Sequence, residues 1–491
     1  MKILIENGNV CSLDLPLKFA QKLYAEFAIR HPNAFYLRTR QRGMQNWDGK
    51  IHYINKHGEF KIGLLPAVYE KCIEYGIKPK VVDMRQPLPK VNEVVTKIGE
   101  YKLRPEQEKA VKAVINNKVG KVPFQIGVLD YTVNAGKTLI MSSLYLSYKK
   151  QLKTLLITND SDWLNQARDE FKKYLPGEQI TFVQGKVLNW SNFTIGMVQS
   201  ISRNMRFYQN ELAKIDMVLV DEADQAGSKQ YQNVLTRLFN TRVRIGLSGT
   251  IYMSKLAKDK VKNMNLEVFF GKVLAEFKLK DSIKKGYSTR TIVKMVPSKP
   301  WYGNWESEEV SYKEVYDDSI TFNKYAKRMV YSRLKWNIKQ GRYPALVVCK
   351  FIAHCEKLCK YFKKKLGSKY NIACVHVDTP SKIRQQIMKD FREGKIDILV
   401  STTIIARGKN FPKLRYLLNA ASMDSQEKSI QFLGRLVRTD SSKKKVYLDD
   451  LHYPGPYLNR HGKHRKQYYQ KQELKVILLE KIWKNHPIHS L

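Results

Sequence analysis

Short apolar runs alternate with helical segments along most of the chain from about residue 99 onward. Val111–Val114 has the spacing of a buried helix face, whereas the apolar runs that follow are short enough to be strands. The predicted strands of this first region are Ile126–Leu129, Thr154–Ile157, Phe193–Val198, Met217–Val220 and Val243–Gly246. Continuously apolar strands joined by helical crossovers are typical of a parallel sheet covered by helices.

The pattern of strands and helices begins again after about residue 320. Helices such as Ser381–Phe391 separate a second set of predicted strands, which are Ala345–Val348, Ala373–Val377, Ile396–Val400, Tyr416–Asn419 and Lys445–Leu448. The stretch 297–318, which contains prolines and aromatic residues, is interpreted as the connection between the two regions. We therefore predict an α/β fold with two parallel-sheet domains in series.

The first 90 residues have a different pattern, which predicts a small α+β domain. Helical spacing of apolar residues is found in Leu15–Ile29 and Ala67–Tyr75, and short strands are predicted at Ala34–Leu37, Lys50–Ile54 and Phe60–Leu65. Prolines between residues 79 and 89 then predict a linker near 80–98. The predicted domains are 1–90, 99–292 and 319–452, with a linker at 293–318 and a basic C-terminal tail at 453–491.

The charge balance indicates what this α/β protein binds. The chain has 491 residues and a formal net charge of +42, from 87 lysines and arginines against 45 acidic residues. Because so large an excess repels itself, a polyanionic partner such as nucleic acid is the natural explanation. The alternatives are a generally basic surface in solvent or an acidic membrane surface, but no amphipathic anchor or lipidation motif supports membrane binding.

Apolar segments and cysteine usage both favour a cytoplasmic protein, in the host cytoplasm if a phage encodes it. No run approaches the 18 apolar residues of a membrane span, and the N-terminus lacks the apolar core of a signal peptide. The six cysteines lack CxxC spacing, so reduced thiols are the preferred interpretation. Cys355 and Cys359, beside His354, could hold a metal ion, but no second ligand pair accompanies them.

A phosphate-binding loop is predicted after the first strand, in Tyr131-Thr-Val-Asn-Ala-Gly-Lys137-Thr138. Lys137 is expected to contact the β- and γ-phosphates of ATP, and the Thr138 hydroxyl to help hold Mg²⁺. Tyr131 stands where the strict pattern has glycine, and AGKT alone could be chance turn chemistry. Its position between an apolar strand and the apolar helix Leu139–Tyr148 favours the phosphate loop. The loop residues expected to bind nucleotide through their backbone are Asn134, Ala135 and Gly136.

Two carboxylates follow another buried strand, in Met217-Val-Leu-Val-Asp221-Glu222-Ala-Asp224. A carboxylate at the carboxyl end of a central strand can hold Mg²⁺, which is the role predicted for Asp221 together with Thr138. The neighbouring Glu222 is expected to polarise the attacking water. An acidic helix start that offsets the helix dipole is the alternative interpretation. Because the phosphate loop lies upstream, nucleotide hydrolysis is the favoured function.

Three further segments lie in an order that fits a nucleoside triphosphatase. Leu103-Arg-Pro-Glu-Gln107 precedes the phosphate loop, and Ser248-Gly-Thr250 follows a strand after the acidic pair. Gln431-Phe-Leu-Gly-Arg435-Leu-Val-Arg438 lies in the second α/β region and places two arginines on neighbouring positions of one helix face. Such arginines stabilise charge on a transferred phosphoryl group, although surface arginines on a helix would give the same pattern.

With these motifs in this order, residues 99–450 resemble the superfamily 2 helicases. The resemblance implies two tandem RecA-like motor domains that use ATP and Mg²⁺, and an ATP hydrolase coupled to DNA unwinding. It implies that Arg104 and Gln107 recognise the adenine side, and that Arg435 and Arg438 are the γ-phosphate and finger arginines. Further nucleotide contacts are implied for Gly408, Asn410 and Gln431. Many relatives carry Asp at the position of Asn410, and the final motif begins with Gln431 rather than His.

The N-terminal domain resembles that of the bacteriophage UvsW helicase family. The similar segments are Arg42-Gly-Met-Gln-Asn-Trp47-Asp-Gly-Lys50 and the following Gly63-Leu-Leu-Pro. Asp48-Gly49 by itself predicts a hairpin with Trp47 packed beneath it. The tail around His461-Gly462, with Arg465, Tyr468 and Tyr469, is also similar to the family. The resemblance implies branch migration, fork regression and unwinding of branched DNA or RNA–DNA hybrids, with movement from 3′ to 5′.

Candidate nucleic-acid contacts form three groups. Those of the N-terminal domain surround the Trp-Asp-Gly triplet and are Arg38, Arg40, Arg42, Trp47 and Lys50. Those of the motor follow from the family's motif positions and are Gln199, Ser200, Lys350, His354, Thr402 and Thr403. Each motor residue could equally be a cap or turn residue. The tail segment 460–469 mixes cations with aromatic residues, which suits phosphate contact with base stacking, or a solvated basic helix.

The main hypothesis is a monomeric, ATP-dependent DNA helicase or translocase that unwinds or branch-migrates forks, Holliday junctions, D-loops or R-loops in phage-type recombination, repair and replication. Closure of two domains on ATP, and reopening after hydrolysis, would move one strand stepwise. One alternative is a pump for double-stranded DNA in a restriction or remodelling system, although no nuclease carboxylate cluster is visible beyond the motor. Another is a nucleic-acid-binding module with a degenerate ATPase, which Tyr131 and Asn410 support.

Overall fold

Two parallel sheets of seven strands organise the protein, one in each of two units, Met1–Phe277 and Lys278–Leu491. The structure is a computed structural model, and it describes residues 1–40, 44–159, 161–187, 190–251, 257–298, 310–406, 411–424, 429, 432–434, 436–439 and 443–479. Across those ranges no helix has the length and apolar character that a membrane crossing requires. The predicted α/β fold with two tandem parallel-sheet domains is confirmed.

The N-terminal part of the first unit is a small α+β arrangement. Its elements are β1 (Lys2–Ile5), β2 (Val10–Asp14), α1 (Leu17–Glu26), β3 (Ala28–Arg30), α2 (Ala34–Arg40), β4 (Lys50–His52), β5 (Phe60–Lys61), α3 (Leu65–Glu74) and β6 (Lys80–Asp83). One sheet has the order β5-β2-β1-β6, in which β2 runs antiparallel to β1 while β6 runs parallel to it. The pair β3 and β4 is antiparallel.

Three local predictions for this part are wrong. Ala34–Leu37 begins helix α2 and is not a strand. Its consecutive residues Phe35 and Tyr36 are both exposed, whereas consecutive residues of a half-buried strand face opposite sides of the sheet. Only Phe60–Lys61 is strand in the predicted segment 60–65, since a 3₁₀ turn at Ile62–Leu64 leads directly into α3. Asp48-Gly49 does not close a hairpin, because β4 pairs with β3 across the long connection that contains α2.

The main sheet of the first unit has the strand order β13-β14-β12-β15-β16-β11-β17. Its region comprises β7 (Lys97–Ile98), β8 (Tyr101–Lys102), α4 (Pro105–Ile115), β9 (Lys118–Val119), β10 (Val122–Pro123), β11 (Ile126–Tyr131), α5 (Lys137–Ser147), β12 (Thr154–Thr158), α6 (Ser161–Tyr174), β13 (Ile180–Val183), β14 (Phe193–Met197), α7 (Val198–Arg203), α8 (Met205–Ala213), β15 (Met217–Asp221), α9 (Lys229–Leu235), β16 (Val243–Ser248), α10 (Ala257–Phe270) and β17 (Val273–Phe277). All five predicted strands are present. The two edge strands, β13 and β17, were not predicted, because half-buried edges lack a continuous apolar run.

The N-terminal part shares its hydrophobic core with this main sheet. Ile3, Ile5 and Phe60 belong to the same buried cluster as Phe270 and other residues of α10. At two glycines the backbones touch: a Cβ on Gly8 would lie 2.4 Å from the Leu238 carbonyl oxygen, and one on Gly63 would lie 2.2 Å from that of Glu267. Since no side chain fits at such distances, these glycines let the N-terminal part pack directly against α10 and the segment that follows α9.

The sheet of the second unit has the order β20-β21-β19-β22-β23-β18-β24. Its elements are α11 (Leu279–Lys284), β18 (Arg290–Pro297), α12 (Tyr312–Tyr316), α13 (Lys324–Lys339), β19 (Ala345–Cys349), α14 (Ile352–Leu366), β20 (Ile372–Val375), α15 (Ser381–Glu393), β21 (Ile398–Thr402), β22 (Tyr416–Asn419), β23 (Lys445–His452), α16 (Leu458–Lys471) and β24 (Lys475–Leu478). The predicted boundary at residue 292 lies inside β18, and β18 pairs with β23 along its whole length. The predicted linker at 293–318 thus contributes β18 and α12 to the second unit.

The predicted C-terminal tail forms part of the second unit, because α16 packs on the sheet and β24 extends it beside β18. Two consecutive aspartates of β23 face opposite sides of the sheet, as alternate strand residues do. Asp449 accepts a hydrogen bond from Arg333 Nε of α13 at 2.8 Å. Asp450 is bound by Arg465 of α16, with Nη2 at 2.8 Å from Oδ1, and by the Tyr469 hydroxyl at 2.7 Å.

Candidate functional site

The predicted phosphate loop lies between β11 and α5, at the carboxyl edge of the first sheet. Asn134 and Gly136 both have left-handed backbone, with φ of 64° and 71°, and Gly136 is the N-cap of α5. Lys137 and Thr138 are the first two residues of that helix. A helix N-terminus preceded by such a turn presents backbone N–H groups and the positive end of the helix dipole, which together suit a phosphate.

The two candidates for adenine recognition hold the backbone of this loop. Gln107 is buried and donates its side-chain N–H to the Ala135 carbonyl at 2.8 Å. The side-chain oxygen of Gln107, Oε1, accepts a hydrogen bond from the Arg104 backbone N–H at 2.8 Å. Arg104 Nη1 donates to the Asn134 backbone carbonyl at 3.2 Å. Gly136 has a φ of 71°, and a Cβ there would also lie 2.3 Å from Gln107 Nε2, so a side chain at this position would be strained. Contact of either side chain with adenine stays a prediction.

Tyr131, which occupies the place of the usual first glycine, lies outside the turn of the loop. It is the last residue of β11, its ring is fully buried, and its hydroxyl donates to the Glu106 carbonyl at 2.6 Å. Burial raises the pKa of the Tyr131 hydroxyl, so it remains protonated and can donate. Because the chain stays extended through Tyr131 and turns only afterwards, the loop tolerates a side chain at this position.

The acidic pair at the end of β15 lies beside the phosphate loop. Asp221 is buried, and its Oδ1 lies 3.5 Å from Lys137 Nζ. Within the described part of the chain this oxygen accepts no hydrogen bond. A buried carboxylate oxygen without a hydrogen-bond donor, near the hydroxyl-bearing Thr138, fits Mg²⁺, which prefers oxygen ligands and otherwise keeps water and substrate phosphates.

Glu222 has an unusual backbone for a residue with a side chain. Its φ and ψ are 52° and 47°, in the left-handed region, where strain of about 1–3 kcal/mol is typical and is concentrated at functional sites. One carboxylate oxygen, Oε2, accepts a hydrogen bond from Gln225 Nε2 at 3.3 Å. The Glu222 carboxylate thus lies within hydrogen-bond reach of Gln225, three residues later.

Asp224 has a positioning role that the sequence did not reveal. Its Oδ1 accepts a hydrogen bond from the Ser248 hydroxyl at 2.6 Å, and Ser248 Oγ lies 2.9 Å from Thr250 Oγ1. A Cβ on Gly249 would lie 3.0 Å from Thr132 Cα. The motif after β16 is thus held against both the acidic motif and the start of the phosphate loop. The sequence feature that could have indicated this role is the position of Asp224, three residues after Asp221.

The candidates in the N-terminal part lie in two exposed segments. Arg38 and Arg40 are exposed on α2, and the Arg40 guanidinium lies 4.8 Å from the Tyr36 ring centre. The Trp47 indole donates its N–H to the Lys50 carbonyl at 2.8 Å, which fixes the turn before β4. Arg42 lies outside the described residues.

The motor candidates differ in accessibility. Gln199 and Ser200 are half-buried on α7, at the carboxyl end of β14. His354 is buried, and its Nδ1 lies 3.0 Å from the Tyr316 hydroxyl. Burial lowers the pKa of His354 to about 3, so its ring is neutral and faces the core, where it cannot contact a phosphate. Lys350 Nζ lies 3.8 Å from the Tyr312 ring centre.

The remaining predicted residues of the second unit are only partly described. Thr402 ends β21 and is buried, and Thr403 begins the 3₁₀ turn that follows. Arg438 is half-buried, and its backbone carbonyl accepts a hydrogen bond from the Thr289 hydroxyl at 3.2 Å. The predicted residues outside the described part of the chain are Gly408, Asn410, Gln431 and Arg435.

The tail residues with predicted stacking and phosphate contacts are in the core. Arg465, Tyr468 and Tyr469 are at most 1% exposed, so neither interpretation of the tail segment, nucleic-acid contact or a solvated helix, holds for these three side chains. The reason is the Asp450 carboxylate, which provides a buried counter-charge for Arg465. A Cβ on Gly462 would lie 2.2 Å from the His452 ring, which shows how closely α16 packs on β23.

The cysteines of the second unit come together in a way that the sequence did not reveal. Cys355 Sγ of α14 lies 3.4 Å from Cys374 Sγ of β20, and all six cysteines are free thiols. The neighbouring Cys355 thiol and burial raise the pKa of the Cys374 thiol to about 12. The ranges that the structure describes contain no group of three or more His, Cys, Asp or Glu side chains suited to a metal ion.

Comparison with protein families gives two matches that flank the boundary between the units. Residues 100–253 match a family described as the res subunit of type III restriction enzymes. Residues 327–440 match the helicase conserved C-terminal domain. The first match contains the phosphate loop and the acidic pair, and the second contains the candidate arginines.

Individual relatives are distant but extend over most of the chain. The ATP-dependent helicase IRC3 of Saccharomyces cerevisiae is 23% identical over 71% of this chain, which spans 51% of that relative's length. The ATP-dependent DNA helicase uvsW of Enterobacteria phage T4 is 21% identical over 83% of this chain and 82% of its own. A solved fragment, described as an HsdR subunit of a type I restriction enzyme from Vibrio vulnificus YJ016, has a similar fold, with a TM-score of 0.55 and 15% identity over 76% of this chain and 67% of that chain.

Proposed function

We propose that the chain, which carries superfamily 2 helicase domains and resembles the UvsW type, is an ATP-driven DNA helicase that unwinds or branch-migrates branched DNA. The observation that carries this proposal is the position of Lys137 beside Asp221, 3.5 Å apart at the carboxyl edge of the first sheet. These two residues are the cation and carboxylate that a phosphate loop and a Mg²⁺ site require.

Candidate residues of the chain can bind the phosphates of ATP, activate the attacking water and neutralise the charge that develops. Lys137 binds the β- and γ-phosphates of ATP, and Glu222 polarises the attacking water. Asp221 and Thr138 would hold Mg²⁺, which supplies positive charge against the phosphates when bound. The superfamily 2 resemblance assigns Arg435 and Arg438 to neutralise charge that develops on the transferred phosphoryl group.

DNA as the substrate is supported by charge and by the phage T4 relative, whose name is that of a DNA helicase. The net charge of +42 favours a polyanion, and the exposed Arg38 and Arg40 offer phosphate contacts on the N-terminal part. Movement from 3′ to 5′ and a preference for forks, four-way junctions or R-loops come from the UvsW resemblance. A panel of these substrates with 3′ or 5′ overhangs tests both, and equal unwinding of unbranched duplexes would count against the branched-DNA preference.

The central test is the DNA-stimulated ATPase activity of Lys137→Ala. We expect a loss of at least about 100-fold in turnover, because the cation that neutralises phosphate charge is removed from a preorganised site. The matched control is Lys153→Ala, a lysine of the same unit that pairs with Glu211 away from the loop. Turnover like that of the unmodified protein in Lys137→Ala would remove the proposal.

A translocase that pumps double-stranded DNA is the second candidate, favoured by the match of residues 100–253 to a restriction-enzyme subunit. The two candidates differ in product. A helicase separates strands or moves a junction, whereas a pump displaces a bound triplex strand from intact duplex and leaves junctions unresolved. Robust triplex displacement without strand separation would favour the second candidate.

A further inference from the structure

A chain of polar side chains connects Glu222 to helix α7 across the carboxyl edge of the first sheet. Gln225 Nε2 donates to Glu222 Oε2 at 3.3 Å. The Asn159 side-chain N–H donates in turn to Gln225 Oε1. Gln199 Nε2 of α7 donates to the Asn159 backbone carbonyl at 3.1 Å. The residue expected to polarise water is therefore joined to a residue expected to contact nucleic acid.

The strand order explains why these residues meet. β12 lies between β14 and β15 in the sheet, and all three strands are parallel. Asn159 directly follows β12, so it stands between the end of β15, which carries Glu222, and the end of β14, which leads into α7. Parallel strands with their carboxyl ends at one edge place ligand-binding residues together at that edge. Asn159 thus links the carboxyl ends of β14 and β15, the two strands on either side of β12.

Two features indicate that this connection is poised to change. Glu222 is held in the strained left-handed region, and its hydrogen bond to Gln225 is long. At the other end, Gln199 Oε1 is buried and, among the described residues, accepts no hydrogen bond. A buried amide oxygen without a donor is unfavourable, because it has lost its hydrogen bonds to water. A small shift of α7 could therefore satisfy Gln199 at the expense of its contact with Asn159.

We propose that Gln225 and Asn159 are positioning residues that restrain the Glu222 carboxylate until nucleic acid engages α7. The hydrogen bond from Gln225 holds the Glu222 carboxylate in one orientation, with Oε2 directed to the amide. When a nucleic-acid backbone contacts Gln199 and Ser200, movement of α7 releases Asn159, then Gln225, and Glu222 can turn to the attacking water. ATP hydrolysis thereby depends on nucleic acid. This inference rests on the proposed function, because it assigns regulation to the same ATPase site.

The test compares ATP turnover with and without DNA in Asn159→Ala and Gln225→Ala. We expect each substitution to raise the DNA-free kcat by about tenfold, the effect of losing one restraining hydrogen bond, and to leave the KM for ATP unchanged. The DNA-saturated kcat should stay close to that of the unmodified protein, so the stimulation ratio falls by about tenfold. DNA affinity and the unfolding midpoint should not change.

Gln232→Ala is the matched control, because Gln232 donates its side-chain N–H to the Gly227 carbonyl at 2.8 Å and lies outside the connected set. The Gln232→Ala variant should have the same DNA-free kcat and the same DNA-saturated kcat as the unmodified protein. If Asn159→Ala and Gln225→Ala instead lower the DNA-free and DNA-saturated kcat together, the two residues support the active position of Glu222 and the proposal is overturned. Absence of ATPase activity in the unmodified protein with DNA present would instead refute the proposed function itself.

Discussion

Helices α2 and α16 both combine cations with aromatic residues, yet the structure gives them opposite environments. On α2, Phe35 and Tyr36 are 79% and 54% exposed and the two arginines face solvent. On α16, Arg465 and Tyr469 are buried in the core of the second unit. The sequence suggested nucleic-acid contact for both segments, for α2 from its place beside the Trp-Asp-Gly triplet and for α16 as one of two interpretations of its composition. The comparison shows that a mixture of cations and aromatic residues does not by itself indicate a binding surface.

The difference depends on a counter-charge elsewhere in the chain. A buried arginine needs a carboxylate with good geometry, because removal of both charges from water is costly. Asp450 of β23 supplies it to Arg465, and Tyr469 and Asn419 donate further hydrogen bonds to the same carboxylate. Across the described ranges, neither Arg38 nor Arg40 has an ion-pair partner within 4.0 Å. They consequently stay in water and remain available to phosphates.

The largest expected effect is on stability, from Arg465→Ala. Loss of the guanidinium leaves Asp450 buried without its cation, which should lower the free energy of unfolding by about 3–5 kcal/mol. Chemical denaturation of the full chain measures this change. Arg460→Ala, an exposed arginine on the same helix, is the control and should unfold like the unmodified protein.

A second variant separates the buried charge from loss of packing. Arg465→Met combined with Asp450→Leu removes both charges and should recover part of the stability, since no unpaired charge remains. An Arg465→Ala protein with unchanged unfolding but weaker DNA binding would reverse the comparison and restore the phosphate-contact interpretation of α16.

An intermediate loss in the free energy of unfolding is expected from Gly63→Ala. This substitution tests whether backbone contact attaches the N-terminal part to α10. The new Cβ would lie 2.2 Å from the Glu267 carbonyl oxygen, so α10 must move. Overpacking of this kind costs about 1–3 kcal/mol, which denaturation should detect. At Gly227, the control, the nearest atom would be 3.4 Å away, and alanine should be tolerated. Equal unfolding of the two variants would mean that the N-terminal part is not held by backbone contact.

The smallest change in stability, and the clearest change in binding, is expected from the double substitution Arg38→Gln and Arg40→Gln. If both arginines contact phosphates, the slope of log K against log salt should fall by about 2 for duplex DNA. The unfolding midpoint should not move. Lys363→Gln with Lys364→Gln, on the exposed C-terminal turn of α14, is the charge-matched control. An equal change of slope in both double variants would indicate nonspecific charge rather than a contact on α2.

Central strands and motif loops could be predicted because their signals are local. The buried runs that became β11, β12, β15 and β16 were read from apolar residues alone, and the phosphate loop from its glycine and lysine. Edge strands such as β13, β17 and β24 were missed, since a half-buried strand has no continuous apolar run. The irregular Tyr131 could not be explained from sequence, because its hydroxyl bonds to Glu106, which is distant along the chain.

By itself, the sequence determined the two-sheet α/β organisation and the residue types of the proposed nucleotide-hydrolysing site. Both follow from short-range patterns: hydrophobic periodicity, and the order of small, basic and acidic residues around strand ends. Only the tertiary structure decided which cations are buried, how the N-terminal part docks, and that Asn159 joins Glu222 to α7. Those outcomes depend on pairs of residues far apart in the chain, such as Asp450 with Arg465, whose contact exists only once the parallel strands are assembled.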